Sequence, residues 1–422
     1  MRIKRFLPFW MWLLVALCVP YQFMLQSIPT IMIDDLIAAL QITATDVGVL
    51  TASFFYTYLL FQIPAGALVD RFGVHTVMTT ALLIAALCCM GAAAAHSWVI
   101  ICLMRLGMGL VLAPCVPAVM SLAATSFSAS SFVLLAGLAE SVGMCGGAIG
   151  EAGFGHYIAT HSWRACWLLC ACLGIILAIL VGFTGFDRRS RVRGGLLEPA
   201  RPASRALWRD FTDMLLSRAL WPIALWAGCV FAVLPAFAGL WAVKIVQDWY
   251  SVPLSTAAWA GSALFFGTAL GLPFWSWCAK RVGAYKKIMF RANIINIVLL
   301  LALFRPPSVS LLFVYTQLFI VGFVSAVYVL AFAIAREQVQ PHVRASAMGL
   351  VNMMCMLIGA PLLQPVIGVV LSEHRPSWAN TLVALVGNRD AAVFLLLVWC
   401  LFVALILLFF IEDPAHCSSQ GH

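Results

Sequence analysis

Three ionisable side chains, Arg105, Glu140 and Glu151, stand inside a stretch from Trp98 to Tyr157 that is otherwise apolar. The stretch reads as two long helices joined by a short uncharged loop, Thr125 to Ser131. A charge at bilayer depth costs about 2.5–3.5 kcal/mol, so a chain that keeps such groups pairs them or uses them. Arg105 and Glu151 each lie about seven residues inside their helix from the same membrane face, roughly 10 Å deep at ~1.5 Å per residue. Glu140 and Glu151 share a helix face to within about 20°, with Gly143 and Gly147 between them. Gly109 and Ala113 follow Arg105 on its own face, and small residues let helices approach closely in lipid. One chemistry is a buried Arg105–Glu151 ion pair that locks two helices. The other is proton or solute handling. Glu140, near mid-depth and without an evident cationic partner, is the first candidate proton carrier, because a carboxylate there resists ionisation unless paired. Arg105 also offers a planar fork that fits a solute carboxylate.

These residues need a frame of membrane helices to hold them. The 422 residues are 64% hydrophobic and 10% charged, with mean hydropathy +1.02; a soluble domain is about 45–50% apolar and 25% charged. At ~20 residues per crossing the chain has room for twelve spans. We read them at Pro8–Ile33, Val47–Val69, Thr76–Ala95, the pair within Trp98–Tyr157, Trp163–Phe186, Ala219–Val243, Leu254–Ala279, Ile288–Phe304, Val309–Ala335, Ala345–Leu371 and Ala391–Ile411. Pro20, Pro29 and Pro235 are expected to bend their helices. The segment Asp187 to Arg218 holds eight arginines and no spanning run. It divides the chain into residues 1–186, a basic linker 187–218, and residues 219–422. Of the 25 Lys and Arg, nineteen fall on the side of the amino terminus and five on the other, which predicts both termini in the cytoplasm. The net charge of +9 sits in loops beside spans and calls for no nucleic acid. The 14 cysteines lie mostly in apolar runs without metal-ligand spacing, so neither a metal nor a cofactor is expected. The basic amino end with its long apolar run reads as a retained first span.

Between spans 2 and 3 the chain reads Gly66-Ala-Leu68-Val-Asp70-Arg71-Phe-Gly73. This run resembles the signature of the major facilitator superfamily at the same place, as does Arg105 followed by Gly107 and Gly109 in span 4 and the glycine-rich span 5. The basic residues that end the signature are here Val74 and His75, and span 5 lacks the proline of the antiporter branches. The resemblance implies an all-α integral membrane protein of twelve helices in two pseudo-symmetric six-helix bundles. It also implies that Asp70, with Gly66, Arg71 and Gly73, latches a cytoplasmic gate by capping a helix of the opposite half. A carboxylate at a helix N-terminus gains about 0.3–1 kcal/mol.

The second half repeats the first. Lys280-Arg-Val-Gly283 falls on Asp70-Arg-Phe-Gly73 at an offset of 210, and at 212 Arg105 falls on Gln317 and Glu140 on Asn352. Titratable groups in one half face amides in the other, so the first half is assigned the proton response and the second the neutral hydrogen bonds to solute. Two repeats about a midplane site form the layout of an alternating-access carrier. The proton-coupling candidates are Glu140, Glu151 and Arg105. The cavity candidates are Arg105, Gln22, Gln26, Tyr56, Gln317, Tyr328, Asn352 and Gln364. The expected function is proton-coupled uptake of a small polar metabolite, such as an organic acid or amino acid, by a monomer in the bacterial inner membrane, with the proton gradient as energy source. The alternative is a proton-driven exporter of a drug, siderophore or metabolite. An enzyme is disfavoured, since no nucleophile–base set occurs and the ~32-residue linker is too short for a domain.

Overall fold

The computed structural model describes residues 3–127, 129–158, 160–192, 218–282, 284–303, 310–339 and 344–411. Every regular element among them is helical. Ten helices are long and apolar enough to cross a membrane: Phe9–Ile31, Ala44–Gln62, Val74–Ala93, Trp98–Ala123, Trp163–Phe183, Leu220–Tyr250, Leu254–Ala279, Leu311–Ala335, Ala347–Leu371 and Arg389–Phe410. Two further long helices complete the series as span 5, Ala129–Ile158, and span 9, Tyr285–Ala302. The first carries Glu140 and Glu151, and the second opens with Lys286, Lys287 and Arg291. The helix of span 2 runs on to Phe72, and that of span 6 to Val192, past its expected end at Phe186. Residues 193–217 of the expected linker lie outside the described residues.

Local chemistry sets the helix ends. Thr43 and Asp46 form a reciprocal capping box at the start of span 2: the Asp46 amide donates to Thr43 Oγ1 at 3.3 Å and the Thr43 amide to Asp46 Oδ2 at 2.8 Å. Asn388 caps span 12 by accepting from the Ala391 amide at 2.8 Å. Gly73 ends span 2 at φ +79°, a conformation that glycine adopts freely.

Spans 1 with 5, 2 with 4 and 3 with 6 pack together in the first half; 7 with 11, 8 with 10 and 9 with 12 do so in the second. The halves meet along two seams, span 5 on span 8 and span 2 on span 11. Spans 3, 6, 9 and 12 turn large apolar residues outward, among them Leu87, Phe183, Val298 and Phe409. Span 7 is 94% buried against 39% for spans 6 and 12, so span 7 is central and the latter two face lipid. The twofold relation is visible in the backbone. Gln41 and Ser251, 210 residues apart, both end helices in the left-handed region, at φ 53° and φ 50°.

The central spans are not regular α-helices. Ile28–Ile31 in span 1 and Ala326–Val329 in span 10 tighten to 3₁₀ turns. Leu234–Trp241 in span 7 and Ile358–Leu363 in span 11 widen to π turns. Pro29, Pro235 and Pro361 lie in these segments, where proline removes a backbone donor and frees carbonyls for side chains.

Candidate functional site

Side chains bond to backbone carbonyls where the halves meet. On the side away from the termini, here called the outer side, Thr30 Oγ1 donates to the Leu240 carbonyl. Ser262 Oγ donates to the Ala148 carbonyl at 2.7 Å, and the Tyr56 hydroxyl to the Pro361 carbonyl at 3.3 Å. At the rim Lys244 Nζ lies 2.8 Å from both Asp34 Oδ1 of the first half and Asp248 Oδ1 of the second. Burial, and then the neighbouring Asp34, hold the Asp35 carboxyl above its ordinary range. Together these contacts close the outer side. Toward the termini, among the described residues, a Cβ at Gly137 or at Gly349, its counterpart on span 11, would meet nothing within 4 Å.

Below the outer seam the halves meet around a small cavity, here called the apex, lined by rings and amides, chiefly Phe23, Phe55, Phe231, Phe265, Gln26 and Gln364. Farther from the seam Glu140 is half-buried. It lies within electrostatic reach of Tyr58 of its own half and of Tyr328 and Cys355 of the other. The acid therefore stands between the halves, and no cationic side chain reaches it among the described residues.

The expected Arg105–Glu151 pair is not formed. Arg105 is fully buried inside the first half. Its Nε donates to the Leu50 carbonyl at 3.1 Å, Nη1 to Leu25 at 3.0 Å and Nη2 to Thr51 at 3.0 Å. Its guanidinium also lies 5.5 Å from the Phe54 ring centroid. It ties span 4 to spans 1 and 2 and does not line the apex. Glu151 is equally buried, in the seam between spans 5 and 8, and neither carboxyl oxygen has a hydrogen-bond partner. Its side chain fills the space left by the missing Cβ of Gly261. The two groups point to different neighbours, Arg105 into the first half and Glu151 into the seam. Nor does the face shared by Glu140 and Glu151 give them one environment, since Glu151 is fully buried and Glu140 is not.

The amide and phenol candidates divide likewise. Gln26 and Gln364 line the apex. Gln22 is fully buried beside Tyr58. Tyr328 stacks edge-on against Phe231 at 4.6 Å, and Tyr56 belongs to the seam. Asn352 is half-buried. Gln317 turns away from the other half and donates to the Leu299 carbonyl of span 9 at 2.6 Å. Of the gate motif, Gly73 makes the turn, Arg71 is exposed with its guanidinium 5.3 Å from the Phe72 ring, and Gly66 has open space beside it. The Asp70 side chain lies outside the described residues. The four apex phenylalanines and Tyr58 were not singled out from sequence. A phenylalanine in an apolar span carries no mark of which face it takes.

The family model of the Major Facilitator Superfamily matches residues 12–360 and 233–420. An uncharacterized transporter, YybO, of Bacillus subtilis (strain 168) is 29% identical over 138 residues, 33% of this chain. The chain spans about a third of the length of that curated relative, at 32%. Among solved structures, a bacterial homologue of the human lysosomal transporter Spinster, inward-facing and unoccupied, superposes with a TM-score of 0.72 at 18% identity, covering 96% of both chains. Its inward-facing, occupied form gives 0.71 at 17% identity over 98% of this chain and 97% of that one. With a family match running through both halves, and two six-helix bundles around one cavity, the chain belongs to the major facilitator superfamily: it is a multi-pass membrane transporter and not an enzyme.

Proposed function

We propose that the protein carries a small polar solute into the cell together with protons, by alternating access, in the inner membrane of a bacterium with both termini in the cytoplasm. The observation that carries this reading is Glu140: an acid between the halves, half-buried, without a cation beside it. Exchange of its proton with water follows from which side the cavity faces, and this links the proton to the rocking of the halves. Arg105 serves to hold spans 1, 2 and 4 together. An organic acid would need a cation beside it, and Arg105, the cation singled out from sequence, is engaged by three carbonyls, so the geometry favours an uncharged solute. Glu151, sealed in the seam, is a second proton site only when that seam opens.

The test is reconstitution in proteoliposomes. Glu140→Gln is expected to abolish accumulation driven by an imposed proton gradient and to leave solute exchange measurable. Normal accumulation by Glu140→Gln would refute the assignment. A second reading is export in exchange for protons. It is favoured by the rings of Tyr58 and Tyr328 around an uncompensated acid, a setting that also suits an organic cation. Inverted vesicles with a gradient imposed in either direction separate the two.

A further inference from the structure

We infer that the groove between spans 9 and 12, on the side of the termini, binds an anionic phospholipid through its phosphate. The groove is separate from the solute path, and its occupant does not depend on which solute is carried.

Lys286, Lys287, Phe290 and Arg291 of span 9 line the groove on one side, Leu408 and Phe409 of span 12 on the other. It opens to the outside of the bundle and holds about 320 Å³, against about 20 Å³ at the apex. Its head is cationic. Lys287 and Arg291 stand one helical turn apart on the same face, and both are exposed. Lys286 is half-buried, and its Nζ donates to the Ile411 carbonyl at 2.7 Å. That bond ties the start of span 9 to the end of span 12 and leaves two N–H groups of the ammonium for a ligand. Among the described residues no carboxylate pairs with any of the three cations.

Three like charges within two turns repel one another, and the first turn of a helix favours anions over cations. Span 9 has no acid in that turn, and Ala284 provides no side-chain cap. The fold itself does not require this charge. At the offset of 210, the places of Lys286, Lys287 and Arg291 are held in span 3 by Thr76, Val77 and Ala81. A phosphate supplies the missing acceptors and the opposite charge, through the charge-assisted bonds that lysine and arginine both make.

The apolar surface that runs on from the cations marks the anion as a lipid. Phe290, Ile294 and Val298 follow at successive turns of span 9, and Phe402, Ile406 and Phe409 do so on span 12, all of them exposed. Two apolar ridges therefore lead from a basic head toward the middle of the membrane, which suits a charged head with two acyl chains. Basic pockets between spans take anionic heads in this way. A soluble phosphate would use the cations and leave both ridges uncovered.

The experiment titrates purified full-length protein in detergent with phosphatidylglycerol and with phosphatidylcholine of the same acyl chains. Bound lipid is counted by native mass spectrometry, and thermal unfolding is followed alongside. Phosphatidylglycerol is expected to bind about tenfold more tightly and to raise the unfolding temperature. The pair Lys287→Gln with Arg291→Gln breaks no bond between described residues. It should unfold as the parent does without lipid and lose the preference. Arg71→Gln with Arg281→Gln removes the same charge outside the groove and should keep it. Equal binding of the two lipids by the parent, a preference that survives the groove substitutions, or one lost equally in the control pair overturns the inference. Two other occupants have their own arms. Glycerol phosphate in place of lipid should not stabilise the protein; stabilisation equal to that by phosphatidylglycerol would make the occupant a soluble phosphate and overturn the inference. Glu412 and Asp413 follow Ile411 in the sequence, and Glu412→Gln with Asp413→Asn should leave lipid affinity unchanged. A gain of about tenfold would make the tail's own acids the occupant and overturn it likewise.

Discussion

Arg105 illustrates how a cation is kept beneath lipid without a counterion. Three carbonyls from two helices take one N–H each, at 3.0–3.1 Å, and a phenyl face covers the guanidinium. The planar fork is what makes three directions available from one side chain. Lysine would bring the same charge as a single point and leave it poorly satisfied. Methionine would remove the charge altogether; the Leu50 and Thr51 carbonyls would keep their helical partners, and the Leu25 carbonyl, four residues before Pro29, would lose its donor. Arg105→Lys is therefore expected to destabilise by about 2–4 kcal/mol and Arg105→Met by about 1–2 kcal/mol. Thermal unfolding in detergent reads the order, and a lysine variant more stable than the methionine variant would remove this account. Glu140 was legible in sequence because an acid in an apolar run is conspicuous. Its lack of a cationic partner followed from the same inspection. The pairing of Arg105 with Glu151 failed because residue counting fixes depth along a helix but not the neighbour toward which a side chain turns.

At the scale of elements, the outer seam depends on how closely spans 5 and 8 approach. Glu151 occupies the place where a side chain at 261 would begin, and Ser262 bonds across to the Ala148 carbonyl one turn away. Gly261→Ala puts a methyl group on that carboxyl and is expected to cost about 1–3 kcal/mol of seam stability. Hydrogen exchange measured by mass spectrometry should then speed up in residues 146–158 and 254–262. The double variant Glu151→Ala with Gly261→Ala makes room for the methyl and should return exchange close to the parent rate. Failure of the second change to rescue the first would mean that the seam is not built on this contact. The glycines of span 5 were visible in sequence as a small-residue face, but their partners across the seam were not, since the packing joins helices from opposite halves. The π turns of spans 7 and 11 were likewise foreshadowed only in part: Pro235 was expected to bend its helix, whereas the bonds from Thr30 to the Leu240 carbonyl and from Gln364 to the Pro235 carbonyl emerge from the packing.

For the whole molecule, the repeat does more than duplicate a fold. Thr30 bonds to Leu240 and Asp34 pairs with Lys244, and each pair is 210 residues apart, the offset that aligns the two gate motifs. Equivalent positions therefore meet at the pseudo-twofold axis, where the first half supplies an acid and the second a base. The ion pair is partly exposed, at 27% for Lys244 and 53% for Asp34, and Lys244 keeps Asp248 as a second partner. Closure consequently rests on the packed seams more than on the rim. Asp34→Asn is expected to lower thermal stability by less than about 1 kcal/mol, with the loss shrinking as salt is raised. Unfolding curves at low and high ionic strength check this, and a loss of several kcal/mol would make the rim the principal lock.

Hydropathy and charge order along the chain determined the twelve spans, the division into halves and the depth of each buried ionisable group, because these properties depend only on distance along helices and on the cost of placing charge in lipid. The tertiary structure alone decided direction. It turned Arg105 inward to three carbonyls, Glu151 into the seam, Glu140 between the halves, and four otherwise unremarkable phenylalanines onto one apex. Facing is set by how two bundles dock, through contacts between residues that are far apart in the chain, and no local pattern encodes it.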